Sequence, residues 1–134
     1  MILPTSTTVA VANGETVRLF HNTGVKPGGH LVEITAAPPA PAHSGSGARH
    51  HTGSANPDGR RRVEDDFAAA TAAFLNKLSL DGTIEHLVVV SDPRTLGEMR
   101  KHFHRDLRSK IIGELAKDFS RRPPEDIASL IAHA

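Results

Sequence analysis

"IEHLVVVSDPRTLGEMRKHFHRDLRSKIIGELAKDF", residues 84–119, holds the changes of period on which the fold turns. IEHLVVVS (84–91) is a mostly apolar run suited to the middle of a sheet. Asp92 then stands where an N-cap belongs, and Pro93 where a first helical residue belongs. Leu96, Met99, Phe103 and Leu107 follow at helical spacing. On the opposite side, Arg94, Lys101, Arg105 and Arg108 fall within about 60° of one another at 100° per residue. A helix over 93–107 is expected, apolar inward and basic outward. Carried further, that helix would turn Ile112 onto the basic face and Lys110 onto the apolar one. IIGELAKDF (111–119) is therefore expected to be a strand.

Upstream of this unit, TTVAVA (7–12) and TVRLFHN (16–22) flank Asn13-Gly14. That pairing signals a hairpin with a type I′ turn, which needs positive φ at both central residues. HLVEITA (30–36) alternates enough to make a third strand of a meander. Residues 37–62 are rich in Pro, Gly, Ser and His, bury little, and are expected to form a long flexible loop. Within it, Asn56-Pro57-Asp58-Gly59 has the chemistry of a type I turn. Val63, Phe67, Ala70, Phe74 and Leu78 predict a helix over 63–79, with Glu64, Asp65 and Asp66 in its first turn and Gly82 beyond its end. Pro123 and Pro124 open a last helix burying Ile127, Leu130 and Ile131. The expected architecture is α/β: three meander strands, then helix and strand in alternation, in a mixed sheet of about five strands. There is no internal repeat, and 134 residues suit one domain over 1–134.

Composition narrows the chemistry. With no Cys there is no disulfide framework, thiolate nucleophile or Cys-based zinc site. The N-terminus lacks the pattern of a secretory signal, and no apolar run reaches the ~20 residues of a membrane span. A soluble, cytoplasmic protein without a membrane partner is expected. The net charge is only +1, but its distribution is uneven. Six Lys or Arg between Arg94 and Lys110 stand against Glu98 and Asp106, and four Arg between Arg49 and Arg62 stand against Asp58. Two basic zones suit a phosphate-bearing partner, although solvated surface charge explains either one alone.

Of nine His, His50 and His51 are adjacent, and His102 and His104 lie about 200° apart on a helix, so neither pair converges on a metal. His43, His50 and His51 together would bind one only weakly. No GxSxG elbow and no Walker loop occur, and Asp92 and Asp118 near strand ends do not make the converging carboxylates of a two-metal site. No catalytic set, metal site or cofactor is expected. The basic positions are the better signal, because Lys and Arg at i, i+7, i+11 and i+14 suit a contact that follows phosphates. Arg60, Arg61 and Arg62 before the 63–79 helix are a second, with pairing to Glu64, Asp65 and Asp66 as their structural alternative.

The run 86–127 resembles the bacterial host attachment protein family, described as proteins required for attachment to host cells. The resemblance rests on Pro93, Arg94, Thr95, Leu96, Gly97, Arg100 and Lys101, then Glu114, Lys117 and Asp118, together with GRRRVEDDFAAATAAFLNKL (59–78) and the early strand pair. It implies kinship with the middle domain of archaeal and eukaryotic class-1 release factors, and so a ribonuclease-H-like mixed sheet. In those factors a Gly-Gly-Gln loop enters a long helix and reaches the peptidyl-transferase centre of the ribosome. By position that loop corresponds to Gly59–Arg62, but this sequence contains no Gln, so the water-positioning residue has no counterpart.

The sequence and the resemblance together lead to a bacterial release-factor-like domain that binds RNA or the ribosome without catalysis. The expected contacts are Arg60, Arg61, Arg62, Arg94, Arg100, Lys101, Arg105 and Arg108. Two alternatives stay open: a peptidyl-tRNA or ester hydrolase acting through the loop, with an Arg or a His such as His50 or His51 replacing Gln, and a protein-interaction module in attachment or surface colonisation.

Overall fold

In the computed structural model, residues 1–24, 29–34 and 57–134 are described. The chain runs β1 (Thr7–Ala12), β2 (Val17–Asn22), β3 (Leu31–Ile34), α1 (Pro57–Leu80), β4 (His86–Ser91), α2 (Pro93–Arg100), α3 (Arg105–Arg108), β5 (Ile111–Ala116) and α4 (Pro124–Ala132). The five strands form one mixed sheet in the order β3-β2-β1-β4-β5. β1 to β3 make the antiparallel meander, while β4 pairs parallel with both β1 and β5. The α/β class and mixed five-strand sheet expected from the sequence are what the chain adopts.

Period-2 alternation divides the core into two layers. Ala10, Ala12, Leu87 and Val89 pack with Ala68, Ala72 and Leu75 of α1, Leu96 and Met99 of α2, and Leu107 of α3. Val9, Val11, Val88 and Val90 face the other way, towards Phe20, Leu31 and Ile127 and Ile131 of α4. All six residues of β1 are buried, as a central strand covered on both faces demands. Asp92 caps α2 as expected, its Oδ2 accepting from the Thr95 N–H at 3.1 Å.

The departures from expectation have local causes. The hairpin between β1 and β2 exists, but neither Asn13 nor Gly14 has positive φ, so the turn is not type I′. Asn13 Oδ1 instead accepts from the N–H groups of Glu15 and Thr16, both at 2.7 Å, and this side-chain mimic of a turn holds a four-residue connection. Gly14 is required by contact rather than by φ, since a Cβ there would lie 2.8 Å from Glu64 Cγ.

α1 begins at Pro57, six residues before the expected start, so 57–62 is helix and not loop. A type I turn holds both central residues near the right-handed helical region, and Pro57 pre-sets φ for a first helical turn. The turn therefore propagates instead of closing. The rest of the expected loop, 37–56, and the last residues of the expected strand 30–36 lie outside the described residues. At the other end of α1, Gly82 takes φ +86° and donates to Ser79 O, which ends the helix as its position suggested.

The expected helix over 93–107 is two pieces. Asn76 of α1, buried, donates through Nδ2 to His102 O at 2.9 Å, and its Oδ1 accepts from His104 N at 3.0 Å. His104 is extended, and the chain restarts as α3. The break satisfies a buried amide while Phe103 and Leu107 still reach the core. β5 stops at Ala116, three residues short of the expected strand. Its register skips Ile112, so Leu87 faces Ile111 and Val88 faces Gly113, a bulge on an edge strand.

Candidate functional site

The parallel strands β1, β4 and β5 end on one side of the sheet, where chains leaving parallel strands build clefts. A crevice of about 480 Å³ opens there. Asn13, Gly14 and Glu15 follow β1, Asp92 follows β4 with Arg94 and Thr95 behind it, and Glu64 comes from α1. The segment after β5 supplies Asp118, Ser120, Arg121 and Arg122.

Hydrogen bonds hold that last segment in place. Asn13 Nδ2 donates to Ser120 Oγ at 3.0 Å, and Ser120 Oγ donates to Asp118 Oδ1 at 2.6 Å. The Ser120 N–H reaches the same oxygen at 3.1 Å. The Ser120 hydroxyl, then its N–H, and also the charge of Arg121 hold the Asp118 carboxyl below its ordinary range, so it is anionic at neutral pH. Arg18 of β2 ties the segment to the meander. Its Nη1 donates to Ser120 O at 3.1 Å and Arg122 O at 2.7 Å, while Nε and Nη2 grip Glu33 of β3. The Arg18 guanidinium lies 4.8 Å from the Phe20 ring centroid, and its fork holds Glu33 below the usual carboxylate range.

The eight basic residues expected from the sequence divide between two ends of α1. Arg60, Arg61 and Arg62 are exposed in its first turns, at the end of α1 from which Glu64 lines the crevice. Arg60 Nη2 comes within 4.0 Å of Glu15 Oε1 at the crevice mouth. Arg94 lies at the crevice and grips both oxygens of Asp65 at 3.1 Å, so Asp65 pairs with α2 rather than with Arg61. These positions put cations at the positive end of a helix dipole, where an anion would be stabilising.

The other four stand elsewhere. Arg100 reaches Glu114 of β5 at 2.7 Å, and Lys101 pairs with Glu98 at 3.0 Å. Arg108 Nη2 donates to Arg100 O at 2.9 Å. Arg105 and Arg108 are on α3, which docks beside Asn76 and Ser79, the latter donating to Asp106 at 2.6 Å. Sixteen residues of α1 separate Arg60 from Asn76, roughly 24 Å at 1.5 Å per residue. Because the 93–107 helix is broken, Arg94, Lys101, Arg105 and Arg108 do not share the single face that a continuous helix would give them.

Arg121 and Arg122, absent from the sequence expectation, are instead brought to the crevice. The signal available in the sequence was the dipeptide directly before Pro123-Pro124, but only the sheet order shows which end it reaches. His43, His50 and His51 lie outside the described residues. Among the described residues no group of three His, Cys, Asp or Glu could hold a metal. His102 sits 3.6 Å from Glu98, apart from the crevice residues. Among the described residues no helix is long and apolar enough to cross a membrane.

The model of bacterial archaeo-eukaryotic release factor family 12 matches residues 6–131, which takes in every strand and helix above. The chain belongs to that family. Membership makes this a release-factor-like domain and bears out that side of the sequence resemblance. It does not extend to the host attachment name. A search of curated proteins finds no match. In this family-12 chain the long helix is α1, and Gly59 and Arg60–Arg62 occupy its first turns.

Proposed function

We propose that this family-12 chain is a non-enzymatic, RNA-binding domain that associates with the ribosome. Its phosphate contacts are centred on Arg60, Arg61 and Arg62 and continue through Arg94, Arg121 and Arg122. One observation carries the proposal: three segments distant in sequence place arginines around one end of the molecule, at the mouth of one crevice. Arg100, Lys101, Arg105 and Arg108 are not among the residues that line the crevice, and they form a peripheral contact at most. The absence of Gln from the sequence removes the residue that a release-factor loop would use on water.

Titration of labelled tRNA and of ribosomes across a salt series tests the proposal. Binding is expected to weaken linearly in log affinity against log salt, because phosphate contacts release counterions. Replacing Arg60, Arg61 and Arg62 together by Ala should lower affinity about tenfold or more and flatten the salt slope by roughly 2. Arg105→Ala with Arg108→Ala should change affinity less than about twofold, since peripheral charges contribute little. Undetectable or salt-insensitive binding sinks the proposal.

A second function, docking of a protein partner in host attachment, draws on the edge strand β3, where Val32 and Ile34 are 47% and 40% exposed. Nuclease-resistant capture of one partner, lost in Val32→Asp, would favour it over RNA binding.

A further inference from the structure

Three arginines line the crevice, and two of them pair with acids of this chain. Arg94 pairs with Asp65. Arg122 lies 3.4 Å from Asp126, with its guanidinium 5.3 Å from the Phe119 ring centroid. Arg121 is exposed and, among the described residues, makes no ion pair, although its charge acts on Asp118. The backbone beneath that side chain is nevertheless held on both sides. The Arg122 N–H donates to Phe119 O at 3.0 Å and closes a four-residue turn with Ser120 and Arg121 at its centre. Arg18 Nη1 donates to Ser120 O at 3.1 Å and to Arg122 O at 2.7 Å, so its two contacts bracket Arg121. Ser120 is tied again by Asn13 and Asp118. Arg121 therefore joins a fixed backbone to an open cationic side chain, a combination that lowers the ordering cost of a contact.

Arg18 itself stands back from the ligand's path. It is not among the residues that line the crevice, and its Nε and Nη2 go to Glu33, whose carboxylate offsets its charge. The Phe20 ring supports the same guanidinium, 4.8 Å from the ring centroid. An ammonium in its place would have one nitrogen to divide between Glu33 and two carbonyls. The shape of the fork, rather than its charge, is what the segment after β5 uses.

Resting on the RNA-binding proposal, we infer that Arg18 is a positioning residue of that interface. It touches no phosphate, and through the carbonyls of the residues on either side it sets Arg121 as a phosphate anchor of the crevice.

A double-mutant cycle on the full chain, read by the anisotropy of labelled tRNA at one salt concentration, tests the assignment. Arg121→Ala is expected to weaken binding about fivefold, as the loss of one phosphate contact. Arg18→Lys keeps the net charge and is expected to weaken it about threefold. The two together should stay within about twofold of Arg121→Ala alone, because a residue acting through Arg121 then has nothing to act on. Asn76→Ala, which loosens the far end of α1, should bind as the unaltered chain does while it is folded, which separates positioning from general loss of stability. Should Arg18→Lys not fold, Glu33→Ala takes its place. That change makes the chain more positive, so charge alone would tighten binding, whereas release of the Arg18 fork weakens it. Unaltered affinity in Arg18→Lys or Arg121→Ala overturns the role of Arg18. So do effects that multiply to about fifteenfold in the double variant, an equal loss in Asn76→Ala, or binding that holds or tightens in Glu33→Ala. In each of these cases salt-dependent binding by the unaltered chain persists, and the RNA-binding proposal with it. Undetectable binding of tRNA by the unaltered chain overturns both.

Discussion

The two ends of α1 carry similar densities of charge and treat it in opposite ways. At the Asn76 end, Lys110 donates to Ser79 O at 2.7 Å and pairs with Asp106 at 3.2 Å, while Arg108 is fixed to a backbone carbonyl of α2. Charge there fastens α3 and the start of β5 to the long helix. At the Pro57 end, Arg60, Arg61 and Arg62 of α1 and Arg121 at the crevice remain exposed. A run of basic residues in a sequence is therefore no measure of a basic surface. What counts is whether the fold supplies carbonyls and carboxylates to bind those residues.

The sharpest way to break this contrast is at Asn76. Asn76→Ala leaves His102 O and His104 N without their partner at a buried junction and should destabilise the chain by about 2–3 kcal/mol. Chemical denaturation would measure that loss, with RNA affinity unchanged while the protein is folded. An effect on RNA binding as large as that of the arginine substitutions would show that the two ends are not independent.

A smaller effect is expected from Arg18. Arg18→Lys keeps the charge but loses the fork to Glu33 and the paired carbonyl contacts, at a cost of about 1–2 kcal/mol. The segment 117–123 should then exchange its amide hydrogens faster than α3 does. Uniform exchange across both ends would contradict the role given to Arg18.

Asp106 carries the smallest effect. The Ser79 hydroxyl first, and then Lys110, hold its carboxyl below the ordinary value of 3.8. A depressed folded-state value means that the stabilisation is present above the unfolded value and lost as pH falls through the folded one. The loss should therefore appear below about pH 4, and Asp106→Asn should flatten the acid limb of a Tm-against-pH curve. An unchanged acid limb would remove Asp106 from the fastening end.

Much of the fold was legible in residue spacing, and much of the site was not. The apolar run at 84–91 and the Asp92-Pro93 start of α2 gave a buried strand entering a helix, because both depend on neighbouring residues. The break at 101–104 depends on Asn76, a residue 26 positions from His102, and no periodicity in 93–107 shows a side chain arriving from another helix. Arg60–Arg62 could be singled out from composition, but the early start of α1 could not, because one tetrapeptide serves a turn and a helical first turn equally well. Arg121 and Arg122 reach the crevice through the sheet order, which places the end of β5 beside β4.

The length of α1 has a consequence for what binding would cost in entropy. At 24 residues the helix is about 36 Å long, whereas the six-residue strand β1 spans about 20 Å. Because Glu64 is level with the hairpin turn at Gly14, Arg60, Arg61 and Arg62 stand at or past the edge of the sheet on a rigid rod. A tether would have to be ordered each time it met a partner, losing about 1–2 kcal/mol of backbone freedom per residue. A helix has already lost that freedom on folding, so these arginines meet a ligand with their backbone in place.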